Sequence, residues 1–377
     1  MIVCDTEKCT GCMACMNICP LGAISPSLSS TYKTVPQVNT ELCKGCGKCQ
    51  SICPVNNPLD YNTPYKCYAA TKSETADTKN CATAGVSAAL GEYIVSSGGI
   101  VFGAGYKNGK VCHMGAENKE QLELLKGSKY VQSDIGFTYK EAEVHLKSGR
   151  RVLFTGTPCQ IAGLYSYLSK DYENLVTADL VCHGVAPHRF LDDYLRELGL
   201  SQKTRQVRFR GDEDYFFTVY GDDGILFKES AATNVYYRAY YNKILMRDNC
   251  YSCKYATYKN RPADITMGDF WGINRDKYMV KDGKVSLVLI NTKKGEELFG
   301  KVGIPLVQTE ISEGVSENAQ LNYPCPEDED RAKFLKNYNH GFTKAVMKTK
   351  VKKNINRNKL NLVIFRIKAE IKRGLKI

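Results

Sequence analysis

Two short stretches near the start of the chain share one pattern: CTGCMACMNICP at 9–20 and CKGCGKCQSICP at 43–54. Both read C-x2-C-x2-C-x3-C-P, and no other feature restricts the fold as much. Thiolates this close in sequence converge on a common centre only where the backbone turns tightly, and Gly11, Gly45 and Gly47 permit such turns. Soft sulfur ligands at these intervals suit iron–sulfur clusters, with the fourth cysteine of each run serving the other cluster. One ligand set is then Cys9, Cys12, Cys15 and Cys53, and the other is Cys43, Cys46, Cys49 and Cys19. Structural zinc is the competing reading of CxxC pairs. Two complete runs, closed by Pro20 and Pro54, weigh against it. Cys4 lies outside the pattern and reads as an ordinary thiol.

The stretch resembles bacterial-type two-cluster ferredoxins. There are 17 cysteines in all. An odd count and an N-terminus without an apolar secretory core argue against a disulfide framework and for a cytoplasmic protein. No apolar run reaches the roughly 20 residues that a membrane span needs. The formal net charge is +12, but Lys344–Ile377 holds twelve Lys or Arg against Glu370 alone, a local charge of +11. The remainder is near neutral, which argues against the whole protein being a nucleic-acid binder. In that tail Leu360, Val363, Ile364, Ile367, Ile371 and Leu375 share a helical face, with Arg366, Lys372 and Arg373 mostly off it. Such a helix suits an anionic membrane surface or a partner's groove; docking on its own body is the plainer reading.

Residues 55–66 read as a linker, and beyond them strand-like and helix-like pieces alternate. Strands are expected at 66–71, 99–106, 111–116, 151–158 and 174–184, with helices at 84–98, 117–126, 136–147 and 159–169. Residues 205–230 alternate as antiparallel strands do. No G-x-G-x-x-G follows the first strand and no P-loop occurs. Cys159 follows a strand, Cys182 ends the next one, and Cys250 and Cys253 form another CxxC. These four can ligate a third [4Fe–4S] cluster; otherwise Cys159 and Cys182 are buried small residues and the pair is redox-active or zinc-bound.

Several further stretches carry a family likeness: GSKYVQS at 127–133, TGTPCQ at 155–160, VCHG at 181–184, CYSC at 250–253, ITMGDFWG at 265–272 and GKVSLVLIN at 283–291. Together they resemble the beta-subunit family of coenzyme F420 hydrogenase and dehydrogenase over roughly 66–300. The resemblance implies an iron–sulfur flavoprotein with FAD beside the third cluster. It places FAD against Thr83, Gly85 and the loop of Ser128, Lys129, Tyr130 and Ser133. His183 and Lys129 are then the candidates for proton handling and for meeting negative charge; a turn-fixing histidine and a solvated lysine are the alternatives. Asp264 and Asp269 read as loop-shaping, and Trp271 as a core residue. The chain departs from the family where a serine-rich loop is replaced by CATAG at 81–85.

The expected fold class is α+β: a two-cluster ferredoxin-like module (1–58), a mixed α/β flavin- and cluster-binding body (66–200 and 201–340), and a basic C-terminal helix (344–377). The expected function is an oxidoreductase relaying electrons between clusters and FAD. It would exchange hydride with an organic partner, either a deazaflavin or a substrate of polysaccharide biosynthesis. The alternative is a non-catalytic iron–sulfur adaptor. A ferredoxin or other redox protein is the expected macromolecular partner, with peripheral contact to the inner membrane face through the tail, and self-association, as further expectations.

Overall fold

The computed structural model describes residues 2–71, 80–210, 215–279 and 283–374, with side chains in the last helix described to 364. In the N-terminal module, α1 (Ala14–Ile18) and α2 (Lys48–Ser51) each follow a CxxC turn, and the hairpin β1 (Ile24–Leu28)–β2 (Thr34–Val38) separates them. Gly11, Gly45 and Gly47 all take positive φ, between 62° and 72°, as the tight turns require.

The body is built on an eight-stranded mixed sheet. Its strands are β3 (Lys66–Thr71), β4 (Ile100–Lys107), β5 (Lys110–Ala116), β6 (Val152–Gly156), β7 (Leu175–Leu180), β11 (Ile265–Asp269), β12 (Val285–Ile290) and β13 (Leu306–Thr309). They lie in the order β13-β3-β12-β11-β7-β6-β4-β5. The central four, β4, β6, β7 and β11, run parallel, and antiparallel strands flank them on both sides. Strands covered on both faces read as unbroken apolar runs, which is why VSLVLI in β12 is buried throughout. The antiparallel strands expected at 205–230 form a separate sheet of β8 (Gln206–Arg208), β9 (Phe216–Gly221) and β10 (Gly224–Ser230).

Helices α3 (Val86–Ser96), α4 (Lys119–Leu125), α5 (Thr138–Lys147) and α6 (Pro158–Leu168) fall where periodicity places them. Val86, Leu90 and Ile94 of α3 face one core with Val101, Leu153 and Ile265. The opposite core contains Phe102, Phe154, Tyr139, Ile161 and Leu164, together with Met13, Ala14 and Met16 of the module. Module and body therefore share a hydrophobic core. Polar bonds reinforce the seam: buried Lys33 lies 3.6 Å from Asp248, and Asn17 Nδ2 donates to the Gly136 carbonyl at 2.9 Å.

Residues 55–66 do not hang free as a linker. Asn62 bridges to Arg261, and the Tyr61 amide donates to Asn260 Oδ1 at 2.8 Å. Strand β7 stops at Leu180, so Cys182 lies in the following loop rather than in the strand. Beyond α7 (His188–Glu197) and α8 (Val235–Tyr241), the chain ends in the helix Val351–Gly374. Val351 and Ile355 are buried at its start, and Asn358 Nδ2 donates to the Ala232 carbonyl. Leu360, Val363 and Ile364 are exposed; the side chains of Arg366, Ile367, Ile371, Lys372 and Arg373, and Leu375 altogether, lie outside the described residues. No helix among the described residues is long and apolar enough to cross a membrane.

Candidate functional site

In an open α/β sheet, ligands collect at the carboxyl ends of parallel strands. Here that rim carries Cys159 after β6, Cys182 after β7 and Asp269 at the end of β11. Thr157 and Gln160 form a capping box and Pro158 opens α6, which fixes Cys159 at the helix N-terminus. The four body cysteines converge: Cys182 feels the charges of Cys250, Cys159 and Cys253, and Cys253 those of Cys159 and Cys250. Gly184 lets the Cys182 turn pack on this group, since a Cβ there would meet Met246 Sδ at 2.9 Å and Cys250 Cβ at 3.4 Å.

In the module, Cys9, Cys12, Cys15 and Cys53 line one cavity, as the crossed ligand pattern expects. The Gly11 amide donates to Cys9 Sγ at 3.4 Å, and the amides of Val55 and Asn56 reach Cys53. Burial pushes the Cys12 thiol up to about 12 and raises Cys15 likewise. The Cys4 side chain instead lowers Cys9 to about 7 and Cys53 to about 6, and a cationic centre such as an iron cluster would favour the thiolate form of all four. Among the described residues no three His, Cys, Asp or Glu side chains are disposed to hold a single metal ion. Tetrahedral zinc would need sulfurs about 3.8 Å apart, from a Zn–S bond of about 2.3 Å. In the second set, buried Cys49 feels Cys43 and Cys46, and Cys46 is exposed. Cys19 Sγ accepts the Ala23 amide at 3.3 Å and packs on the core that holds Cys49.

The body group and the first module group are neighbours. Arg247, fully buried, donates from Nη1 to the Thr10 carbonyl at 2.5 Å and from Nη2 to Cys159 Sγ at 3.8 Å. Tyr139 and Tyr255 both feel Cys12 and Cys159, so they lie between the two groups. Lys254 donates to the Pro54 carbonyl and senses Cys53, Cys12 and Cys253. Gly163 of α6 faces Cys12 so closely that a Cβ would meet Cys12 Cβ at 2.7 Å. Sequence reasoning missed Arg247 and Lys254, although they flank the CxxC pair in RDNCYSCK. Cys4, outside the repeated pattern, lines the first cavity beside Cys9 and Cys53.

At the far side of the rim, Thr83 Oγ1 donates to Asp269, and Arg210 Nη1 pairs with Asp269 at 2.7 Å. Arg210 Nε is buried without a partner. His183 is open to solvent, yet the walls around it remove enough water to hold its pKa below the usual value, against the pull of Asp269. Gly85, at φ 80°, begins α3. Arg208 lies near Lys129 and bonds Asn80, so cations gather where the 80–85 and 127–130 loops meet. An orphaned guanidinium nitrogen and a helix N-terminus fit the phosphates of a dinucleotide.

Other expected flavin contacts are differently employed. Lys129 Nζ donates to the carbonyls of Leu125 and Lys126 at 2.8 and 2.9 Å, capping α4; desolvation, with Arg208 nearby, lowers it to about 7. It is neither a solvated surface lysine nor a free cation for a ligand. Ser133 is buried, with its Oγ 2.7 Å from His113 Nδ1 and accepting from Gln160 Nε2 at 3.0 Å. Tyr130 stacks on Tyr240 at 4.5 Å, and Ser128 is half-buried in the same loop. The Ala84 amide is taken by Ser286 Oγ at 3.1 Å. Trp271 is 45% exposed and not a core residue. Asp264 is buried and accepts from the Thr177 amide at 2.7 Å, a structural role.

Residues 8–57 match the family model for a 4Fe-4S dicluster domain, and residues 149–305 match the model for the C terminus of the coenzyme F420 hydrogenase/dehydrogenase beta subunit. The chain joins a dicluster domain to a beta-subunit-type body. It is an iron–sulfur electron-transfer protein related to that beta subunit. All twelve candidate cluster cysteines fall within the two matched stretches, whereas the loops of Thr83 and Lys129 lie outside them. Among solved structures, a chain of the xenon-derivatized F420-reducing [NiFe] hydrogenase complex from Methanosarcina barkeri is similar at 19% identity and a TM-score of 0.46, covering 80% of this chain and 92% of that one. No match was found among curated proteins.

Proposed function

We propose that this protein is a three-cluster flavin oxidoreductase in which electrons pass between the rim of the large sheet and the exposed edge of the module. One observation carries the reading: Arg247 ties Cys159 Sγ to the Thr10 carbonyl, between Cys9 and Cys12, so the body group abuts the first module group. Cys159, Cys182, Cys250 and Cys253 would hold one cluster, Cys9, Cys12, Cys15 and Cys53 the next, and Cys43, Cys46, Cys49 and Cys19 the last. Exposed Cys46 puts the last site within reach of a redox protein.

FAD, when bound, would supply the exchange between hydride and single electrons. Arg210 and Arg208 would hold its phosphates, with the N-terminus of α3 beneath them. Thr83 and Arg210 fix the Asp269 carboxylate, and His183, next to Cys182, is placed to move a proton with an organic hydride partner. Burial holds His183 below its usual pKa, which favours the neutral ring, the form that can accept a proton. The exposed Leu360, Val363 and Ile364, set among the tail's cations, would rest on an anionic membrane surface.

The adaptor reading draws support from the Ala84 amide and the Lys129 amine, whose bonds within the protein leave less for a phosphate. Iron, sulfide and flavin counts on anaerobically reconstituted protein separate the two. About twelve irons with one FAD, falling to about eight irons in C182A, support the flavoenzyme. About eight irons without flavin in the parent protein reject it.

A further inference from the structure

The first cavity of the module holds five cysteines, not four. Cys4 lines it beside Cys9, Cys12, Cys15 and Cys53. Its position is fixed by the second cysteine run. Gln50 Nε2 donates to the Ile2 carbonyl at 2.8 Å, and Asn56 Nδ2 to the Val3 carbonyl at 2.9 Å. These two clamps stand on either side of Cys53 in sequence, so the N-terminal segment is held against the ligand loop itself. Val3 is buried between them, and Cys4 is half-buried.

We propose that Cys4 is a fifth protein ligand for the first cluster, able to take the place of Cys9 or Cys53 at iron. The inference rests on the reading that Cys9, Cys12, Cys15 and Cys53 hold a cluster. From the same cavity its sulfur would reach an iron held by Cys9 or Cys53 after a side-chain rotation. In the exchange, the Cys4 thiol gives its proton to solvent and its sulfur bonds iron. The Fe–S bond to Cys9 or Cys53 breaks, and that thiolate takes up a proton. No electron changes hands. The site then has two ligand sets of equal charge, and the first cluster outlasts damage to one of its exchangeable cysteines.

The test is iron and sulfide content of anaerobically purified full-length C4A, C9A, C53A, C4A/C9A and C4A/C53A. C4A keeps the parental content, at least one of C9A and C53A keeps it too, and the matching double variant loses about four irons. Iodoacetamide under native conditions labels Cys4 in the parent and fails to label it in the iron-retaining single variant. The proposal is overturned if C9A and C53A each lose as much iron as their doubles, or if neither folds while C4A does. C12A separates this failure from that of the underlying reading: unchanged iron in C12A would show that the first group holds no cluster.

Discussion

Arg247 and Thr10 are joined by a hydrogen bond of 2.5 Å across 237 residues of sequence. The same guanidinium reaches Cys159, and burial leaves it no solvent with which to share its charge. A cation held between two thiolate groups stabilises added electrons on either side, because each reduction adds negative charge to its surroundings.

Replacing Arg247 with Met should therefore make the potentials of the proposed body cluster and the first module cluster more negative. It should also lower stability by about 1–3 kcal/mol, as the Thr10 carbonyl loses its donor. Potentiometric titration followed by electron paramagnetic resonance checks the first effect, and denaturant unfolding the second. Unchanged potentials with intact iron content would show that Arg247 only braces the seam.

Gly163 is the tightest point between α6 and the first cysteine loop. A methyl group there would meet Cys12 Cβ at 2.7 Å, the Tyr139 hydroxyl at 2.9 Å and Cys12 Sγ at 3.0 Å. G163A should cost about 1–3 kcal/mol through overpacking. It should also release iron faster from the first module site than from the second, measurable by chelator challenge.

Arg210 presents a buried Nε without a partner and holds Asp269 through Nη1. R210A should weaken flavin retention at least about tenfold, equivalent to about 1.4 kcal/mol, while leaving iron content intact. Equilibrium dialysis against FAD measures the change. Equal retention in R210A would place the phosphates elsewhere.

His113 is buried with its Nδ1 2.7 Å from Ser133 Oγ and its Nε2 2.9 Å from the Thr155 carbonyl. This arrangement suits a neutral ring that accepts at one nitrogen and donates at the other. Burial lowers its pKa from 6.5 to about 4. The unfolded chain therefore takes up a proton that the folded one refuses between those values. The stabilising contribution is complete above pH 6.5 and declines as pH falls, by about 2 kcal/mol at pH 5. Urea unfolding at pH 7 and pH 5 should show a steeper loss for the parent than for H113Q.

Much of the chemistry was legible locally. Eight cysteines at fixed spacing need only tight turns and glycines to converge, so the module's ligand pairing could be written down before any fold was known. The order of strands and helices in the body was equally readable, because apolar periodicity is a property of neighbours in sequence. The loop of residues 127–133 was less legible for the opposite reason. Lys129, Tyr130 and Ser133 look like ligand-binding residues on a loop, but their partners are carbonyls of α4, a ring on α8 and a histidine on β5.

The amino-acid sequence by itself marked which cysteines could ligate iron, since cysteine type and spacing are local and thiolate affinity for iron is intrinsic. Tertiary structure decided how the groups connect. The pairing of β7 with β6 and β11 brings Cys159 and Cys182 to one rim, and the shared core of α1 and α6 sets Cys12 against Gly163. Arg247 bridges Thr10 and Cys159, and Cys4 enters the first cavity, because packing and buried hydrogen bonds act through space.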